Sequence, residues 1–227
     1  MRNSNDYSLL ISEQRRHDMY QIKEIFYTLQ GEGHNAGRPA IFCRFAGCNL
    51  WSGVEADRAT ATCTFCDTDF VGTNGPGGGR YRRAEQVIDA MVSASSDDAA
   101  PTLVVLTGGE PMLQVDKELI DALHDEGFEI AIETNGTIAV PRAIDWICVS
   151  PKAGAEIVQR TGDELKLVYP QKALSPEDCL DLEFTHRYLQ PMDGPDSAAH
   201  TAAAVAYVKA NPEWRLSLQT HKLIGIP

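Results

Sequence analysis

The stretch Thr102-Leu103-Val104-Val105-Leu106-Thr107-Gly108-Gly109-Glu110-Pro111 decides the fold class. Leu103 to Leu106 form a short, unbroken apolar run that ends in glycines and a proline. Such a run reads as a strand buried on both faces, which is the kind a parallel sheet covered by helices requires. Its end is polar, with a hydroxyl, two glycines and a carboxylate in sequence.

The same pattern recurs on both sides. Strands are expected at Gln21–Thr28, Ala40–Phe45, Thr102–Leu106, Glu129–Glu133, Trp146–Val149, Glu164–Val168, Tyr188–Leu189 and Arg215–Leu218. Helices are expected at Ala84–Ser93, Asp116–Glu126, Pro176–Leu182 and Ser197–Ala210, with Asp116 capping the second and Gly127 stopping it. Strands alternating with helices imply βαβ units and a mostly parallel sheet. Eight full repeats are not present, so the expected fold is α/β, an incomplete TIM-like barrel. Chemically distinctive residues follow six of the strands: Cys48, Thr107 to Glu110, Glu133 to Asn135, Ser150 to Lys152, Gln190 to Asp193, and Gln219 to His221. Parallel barrels gather their active sites at the C-terminal strand ends, and these groups fall there together.

Residues 49–80 break the rhythm with no long helix or strand, so they read as a functional loop. Its glycine run, Gly75-Pro76-Gly77-Gly78-Gly79, is expected to form a flexible hairpin or loop tip. It is not a phosphate cradle, since no helix opening on Lys-Ser or Lys-Thr follows it.

The chain has 227 residues, of which 43% are hydrophobic and 23% charged, and a net charge of -12. That is a soluble globular composition. Clustered Lys and Arg are missing, so no nucleic-acid partner is expected, and no apolar run approaches the roughly 20 residues that cross a bilayer. Residues 1–18 hold only a short apolar patch around Leu9 to Ile11, too short for a signal peptide. They are expected to be a disordered N-terminal extension to a single domain at 19–227. With no secretion signal, cytoplasmic localisation and free thiols are expected.

Of the six cysteines, Cys48, Cys63 and Cys66 form C-x14-C-x2-C. Three thiolates on a four-iron, four-sulfur cubane leave one iron open for a cofactor or substrate. Adding Cys43 gives C-x4-C-x14-C-x2-C, which a structural zinc site also satisfies, and spacing alone leaves both readings open. Two details argue against zinc. In Ile41-Phe42-Cys43-Arg44-Phe45, Cys43 shares the apolar face of a strand with Ile41 and Phe45. Zinc would also leave the polar strand ends unexplained. Cys148 and Cys179 lie in apolar contexts and read as structural.

Cys48-Asn49-Leu50-Trp51, Cys63-Thr64-Phe65-Cys66-Asp67-Thr68 and Thr107-Gly108-Gly109-Glu110-Pro111 resemble the signature of the radical S-adenosylmethionine (SAM) superfamily. The first cysteine spacing departs from the superfamily's usual C-x3-C-x2-C. Phe26 to Gly33, Glu133 to Gly136, Val149 to Lys152 and Arg215 to Lys222 resemble the 7-carboxy-7-deazaguanine synthase family, some members of which carry the expanded loop. The resemblance runs from about Met19 to Pro227.

It implies a partial barrel of the radical SAM type, with ring contraction of 6-carboxy-5,6,7,8-tetrahydropterin to 7-carboxy-7-deazaguanine and loss of ammonia, on the route to queuosine and other 7-deazapurines. It also implies a [4Fe-4S] cluster, SAM, Mg2+, an external flavodoxin-like electron donor and a homodimer. On matching positions it assigns the cluster to Cys48, Cys63 and Cys66, and magnesium to Thr68, with Asp67 as a neighbour acting from further out. Gly109, Ser150, Pro151, Lys152, Gln190, Pro191, Met192 and Asp193 fall to SAM. Leu29, Gln30, Gly31, Arg44, Thr107, Glu133, His221 and Pro227 fall to the pterin, Arg44 pairing with its carboxylate and the Pro227 carboxylate joining the pocket. His221 is suited to proton transfer because histidine titrates near neutrality. Gly109, lacking a Cβ, would let the cofactor approach closely. The alternatives are a radical SAM enzyme with another substrate, such as a glycyl-radical activase, and a non-catalytic zinc module.

Overall fold

The structure is a computed structural model that describes residues 19–95 and 102–227. The extension expected at 1–18 lies outside the described residues.

Nine strands form one sheet: β1 (Tyr20–Leu29), β2 (Pro39–Phe45), β3 (Gly79–Tyr81), β4 (Leu103–Gly108), β5 (Glu129–Thr134), β6 (Trp146–Val149), β7 (Thr161–Tyr169), β8 (Glu183–Pro191) and β9 (Arg215–Leu216). Their order is β3-β1-β2-β4-β5-β6-β7-β8-β9. Every pairing from β2 to β9 is parallel, and only β1 runs antiparallel to its neighbours β2 and β3. The sheet is open, with β3 and β9 at its edges, so the partial barrel expected from the sequence is the fold.

Side-chain alternation gives each strand an outer and an inner face. Outward, Ile41, Cys43 and Phe45 join Val104, Leu106, Ile130 and Ile132 beneath α1 (Ala84–Ala94) and α2 (Lys117–Asp125). Val87, Ile88 and Met91 of α1, and Leu119, Ile120 and Leu123 of α2, fill this core at the spacing of one helix face. A second core beneath α3 (Ser197–Ala210) holds Leu165, Leu167, Leu189 and Trp214. Inward, Ala40, Leu103, Val105 and Ala131 make an apolar floor with Phe42 and Trp146. One inward step further along the strands, Arg44, Thr107 and Glu133 open onto the cavity described below.

Asp116 caps α2 by accepting from Leu119 N–H at 3.0 Å, and its Oδ1 also accepts from the Tyr20 hydroxyl at 2.8 Å. Gly127 follows the helix with φ 80°, a left-handed stop that suits glycine. Asp116→Ala removes both bonds, so a loss of about 1–2 kcal/mol is expected, read as a fall of a few degrees in Tm.

Several expectations need correction. Pro176–Leu182 is not a helix, only a 3-10 turn at Glu177–Cys179. Cys179 and Leu182 both point into the core and β8 begins at Glu183, which leaves no length for a second turn. The last strand stops at Leu216 rather than Leu218. Ser217 N–H still bonds to Leu189, after which the chain turns into a short helix that the sequence did not announce, α4 (Thr220–Ile224). The glycine run is not a projecting tip. It lies along β1, with Gly75 N–H donating to Lys23 O at 2.9 Å and Pro76 O accepting from Ile25 N–H at 2.7 Å. A Cβ at Gly78 would lie 2.3 Å from Lys23 O, so the run is glycine-rich because backbone meets backbone there. No helix among the described residues is long and apolar enough to cross a membrane.

Candidate active site

The C-terminal strand ends surround a cavity of about 410 Å³, within the range that holds a cofactor and a small substrate. Of the residues expected to form the site, all line it except Pro151, including Met192 and Pro227 at its rim. Pro151 is buried beside it, and its carbonyl accepts from Gln171 Nε2 at 3.1 Å.

Cys48, Cys63 and Cys66 lie along one side of this cavity as free thiols. Leu50 N–H donates to Cys48 Sγ at 3.4 Å. The Cys63 and Cys66 thiols are close enough to share a proton. The hydrogen bond from Cys63 draws Cys66 down to about 6 against burial, while the Cys63 thiol is pushed up by that bond and by burial. Cys43 is elsewhere, fully buried on the helix side of β2, so it cannot join them in a four-cysteine zinc site. Among the described residues, no three His, Cys, Asp or Glu side chains converge closely enough for one ion. Three thiols lining one cavity, two of them adjacent and the third across the loop, fit a polynuclear cluster, whose ligands sit on different irons.

The Thr107-Gly108-Gly109-Glu110 turn fixes this loop. Gly109 N–H donates to Phe45 O at 3.1 Å and Glu110 N–H to Gly47 O at 2.9 Å, which holds the residue before Cys48. A Cβ on Gly109 would lie 2.0 Å from Gly47 O and 3.0 Å from Cys48 Cβ. Gly109 lines the cavity, but its missing Cβ makes room for the Cys48 loop rather than for a ligand, which corrects the reason expected from the sequence. Glu110 is wholly buried and accepts from Met112 N–H, Asn135 N–H and Thr134 Oγ1 at 3.0, 2.8 and 2.7 Å. Burial pushes its carboxyl up although these three bonds favour the charged form. Asn135 then donates to Asn49 at 2.9 Å, tying the end of β5 to the residue after Cys48.

On the β6 and β8 side, Lys152 Nζ donates to Ser150 O and Oγ at 2.6 and 2.7 Å, and burial pushes its pKa down. Ser217 Oγ donates to Gln190 Oε1 at 3.0 Å. Asp193 accepts from Lys222 Nζ at 2.6 Å, and the same ammonium donates to Asp67 at 2.7 Å. Thr68, beside Asp67, also faces the cavity.

The interior of the barrel holds what the sequence reading missed. Lys166, from the inner face of β7, is almost fully buried and sits 2.5 Å from Glu32 and 3.2 Å from Glu133. Glu133 also accepts from Gln30 Nε2 at 3.0 Å, and Glu32 from Gln219 Nε2 at 3.0 Å. Burial alone would raise Glu32, but the Lys166 charge and the bonds from Lys166 and Gln219 hold it down to about 2. Burial opposes the Lys166 charge too, yet Glu133 and Glu32 keep its pKa well above the usual value. The signal was present: in Glu164-Leu165-Lys166-Leu167-Val168, charges alternate with leucines at the period of a strand.

Cys148 needs correction as well. It is buried, but it faces this charged interior and hydrogen-bonds the Glu164 carboxyl, so its context is polar. Arg44 points into the cavity as expected from its alternation with Cys43, and its Nε donates to Glu24 at 2.8 Å. His221 packs so closely on Gly31 that a Cβ there would lie 2.3 Å from its Nδ1.

The Radical SAM superfamily profile matches residues 57–161, which contain Cys63, Cys66 and the Gly-Gly-Glu turn but not Cys48. The chain is 60% identical over 208 residues to the 7-carboxy-7-deazaguanine synthase of Bordetella pertussis, covering 92% of this chain and 99% of that one. To the Bradyrhizobium diazoefficiens protein of the same name it is 61% identical over 207 residues, with 91% and 99% covered. Its fold superposes on the crystal structure of QueE from Escherichia coli with a TM-score of 0.65 at 25% identity, over 95% of this chain and 99% of that chain. These likenesses favour neither an activase nor a zinc module. Near-complete coverage at such identity, on a partial barrel whose cavity gathers the three thiols and the Gly-Gly-Glu turn, means that the chain belongs to the 7-carboxy-7-deazaguanine synthase family of radical SAM enzymes.

Proposed function

We propose that this chain converts 6-carboxy-5,6,7,8-tetrahydropterin to 7-carboxy-7-deazaguanine with loss of ammonia, as a lyase of 7-deazapurine biosynthesis. The observation that carries this reading is that three free thiols and a charged, pterin-sized interior open onto one cavity in a chain about 60% identical to named synthases. Residues 19–227 act as one catalytic unit.

Cys48, Cys63 and Cys66 would hold the [4Fe-4S] cluster. With SAM bound, the cluster would supply one-electron reductive chemistry and so initiate a radical reaction on the substrate. The polypeptide supplies orientation and electrostatics. Gly109, Ser150, Lys152 and Gln190 to Asp193 would form the SAM wall. Thr68 would offer its hydroxyl to magnesium, an ion that needs few protein ligands because it keeps several waters. Leu29 to Gly31 and Thr107 position the pterin. Arg44, held at Nε by Glu24, offers the rest of its guanidinium to the substrate carboxylate. Glu133, held by Lys166 and Gln30, accepts from the N–H edge of the ring, and His221 moves a proton at a ring nitrogen. Pro227 closes the rim. The six free thiols are those that a reducing cytoplasm maintains. A flavodoxin-like protein donates the electron, and the active form is a homodimer.

The test is anaerobic reconstitution with iron and sulfide, followed by SAM, magnesium, reductant and the pterin, with products followed by mass spectrometry. The expected product is 7-carboxy-7-deazaguanine, made by the wild type and not by Cys48→Ala. Release of 5′-deoxyadenosine without it would overturn the substrate assignment.

A further inference from the structure

The segment between Cys48 and Cys63 is longer than the superfamily spacing, and the extra residues make one 3-10 helix, Glu55–Thr60. Arg58 on that helix reaches back to the cysteine turn. Its Nη1 donates to Thr64 O at 3.2 Å and to Cys66 O at 3.0 Å. The guanidinium stacks on the Trp51 ring at 3.9 Å from its centroid, and its Nε donates to Glu55 at 2.8 Å. Trp51 in turn meets the buried Phe70 edge to face at 5.6 Å, so both ends of the cysteine segment are pinned.

We propose that Arg58 is a positioning residue for the cluster: by holding the Thr64 and Cys66 carbonyls it fixes the orientation of the peptide units around the two ligating sulfurs of the Cys63–Cys66 turn. This role follows from peptide geometry and rests on the family reading above. A trans peptide is planar, with its C=O and N–H pointing in opposite directions. The carbonyl of Thr64 and the N–H of Phe65 belong to the same unit, as do the carbonyl of Cys66 and the N–H of Asp67. Drawing the two carbonyls toward Arg58 turns both N–H groups the other way. Hydrogen bonds to ligating sulfurs are one of the means by which a protein sets an iron–sulfur potential. A lysine in place of Arg58 keeps the charge, but it lacks the planar fork that grips two carbonyls while lying flat on Trp51.

The test compares wild type, Arg58→Ala, Arg58→Lys and a control, Arg160→Ala, whose arginine pairs with exposed Asp181 far from the cysteines in the chain. Each reconstituted holoprotein is assayed for iron, for the electron paramagnetic resonance of its reduced cluster with and without SAM, for midpoint potential and for 5′-deoxyadenosine release. Arg58→Ala is expected to give a broadened spectrum, a more negative potential and release slower by about tenfold, with partial recovery in Arg58→Lys and none of these changes in Arg160→Ala. A wild-type spectrum and potential in Arg58→Ala overturns the inference. So does a defect matched by lost secondary structure in the apoprotein, or one shared by Arg160→Ala. Failure of the wild type to take up a cluster would instead overturn the family reading beneath it.

Discussion

Lys166→Met is expected to cost about 3–5 kcal/mol of stability and to reduce product formation to background. Lys166 is the buried cation that faces Glu32 at 2.5 Å and Glu133 at 3.2 Å. Methionine matches the stem of lysine but leaves two largely buried carboxylates, Glu32 and Glu133, without their shared counter-charge. Against a typical total of about 5–15 kcal/mol, that is a large share of what holds a domain together. The pair also has a pH signature. Burial opposes the Glu32 charge, but Lys166 holds its carboxyl at about 2 against an ordinary 4.5. Its contribution is therefore complete above pH 4.5 and lost as pH falls toward 2, and in Lys166→Met this acid limb moves to higher pH. Thermal melts across pH check the stability claim. The double variant Lys166→Met with Glu32→Gln separates the two effects: it should regain much of the stability but not the activity, because Glu133 still lacks the partner that orients it. Full activity in either variant would remove Lys166 from the site's working parts.

Gly109→Ala should leave the barrel folded while lowering SAM cleavage by about a hundredfold, the loss that an ångström of misplacement produces. The added Cβ would meet Gly47 O at 2.0 Å and Cys48 Cβ at 3.0 Å. Neither the Gly47 carbonyl nor the strand end beneath it can swing aside as a flexible side chain would, so the Cys48 loop must move. Iron content and 5′-deoxyadenosine release read the result. Gly127→Ala is the useful contrast. Its Cβ would meet nothing within 4 Å, and its only cost is the left-handed backbone at φ 80°. A Gly109→Ala enzyme no slower than Gly127→Ala would mean that the turn does not position Cys48.

Much of this architecture was legible because it follows local rules. Leu103 to Leu106 and Ile41 to Phe45 carry their strand period openly, and Asp116 and Gly127 bracket a helix by capping chemistry. Much of the cavity lining was legible because the parallel strands from β2 to β9 send their C-terminal ends to one rim. What stayed hidden depends on partners distant in sequence. Lys166 reads as a surface lysine until Glu32, 134 residues away, is placed beside it. The glycine run reads as a loop tip until Lys23 is seen against it. Arg58 reads as one more exposed charge until its helix folds back on Cys66. The short α4 carries little periodicity, and Thr220 is held by Gly31 O rather than by any signal of its own.

The Trp51–Phe70 contact has a consequence for how such sequences drift and how they are detected. Because this contact pins the cysteine segment on both sides, the spacer between Cys48 and Cys63 can grow at little cost in stability. By loop-closure entropy, lengthening a flexible spacer from three residues to fourteen costs only about 1.4 kcal/mol, and the packing of a helix such as Glu55–Thr60 can offset that. Spacing can therefore wander while the rim position of each cysteine stays put. A search keyed to spacing alone will pass over the first cysteine, and the superfamily profile, whose match begins at residue 57, leaves it outside. A search keyed to the turn after an apolar strand, where Cys48 sits beside Gly109, will find it.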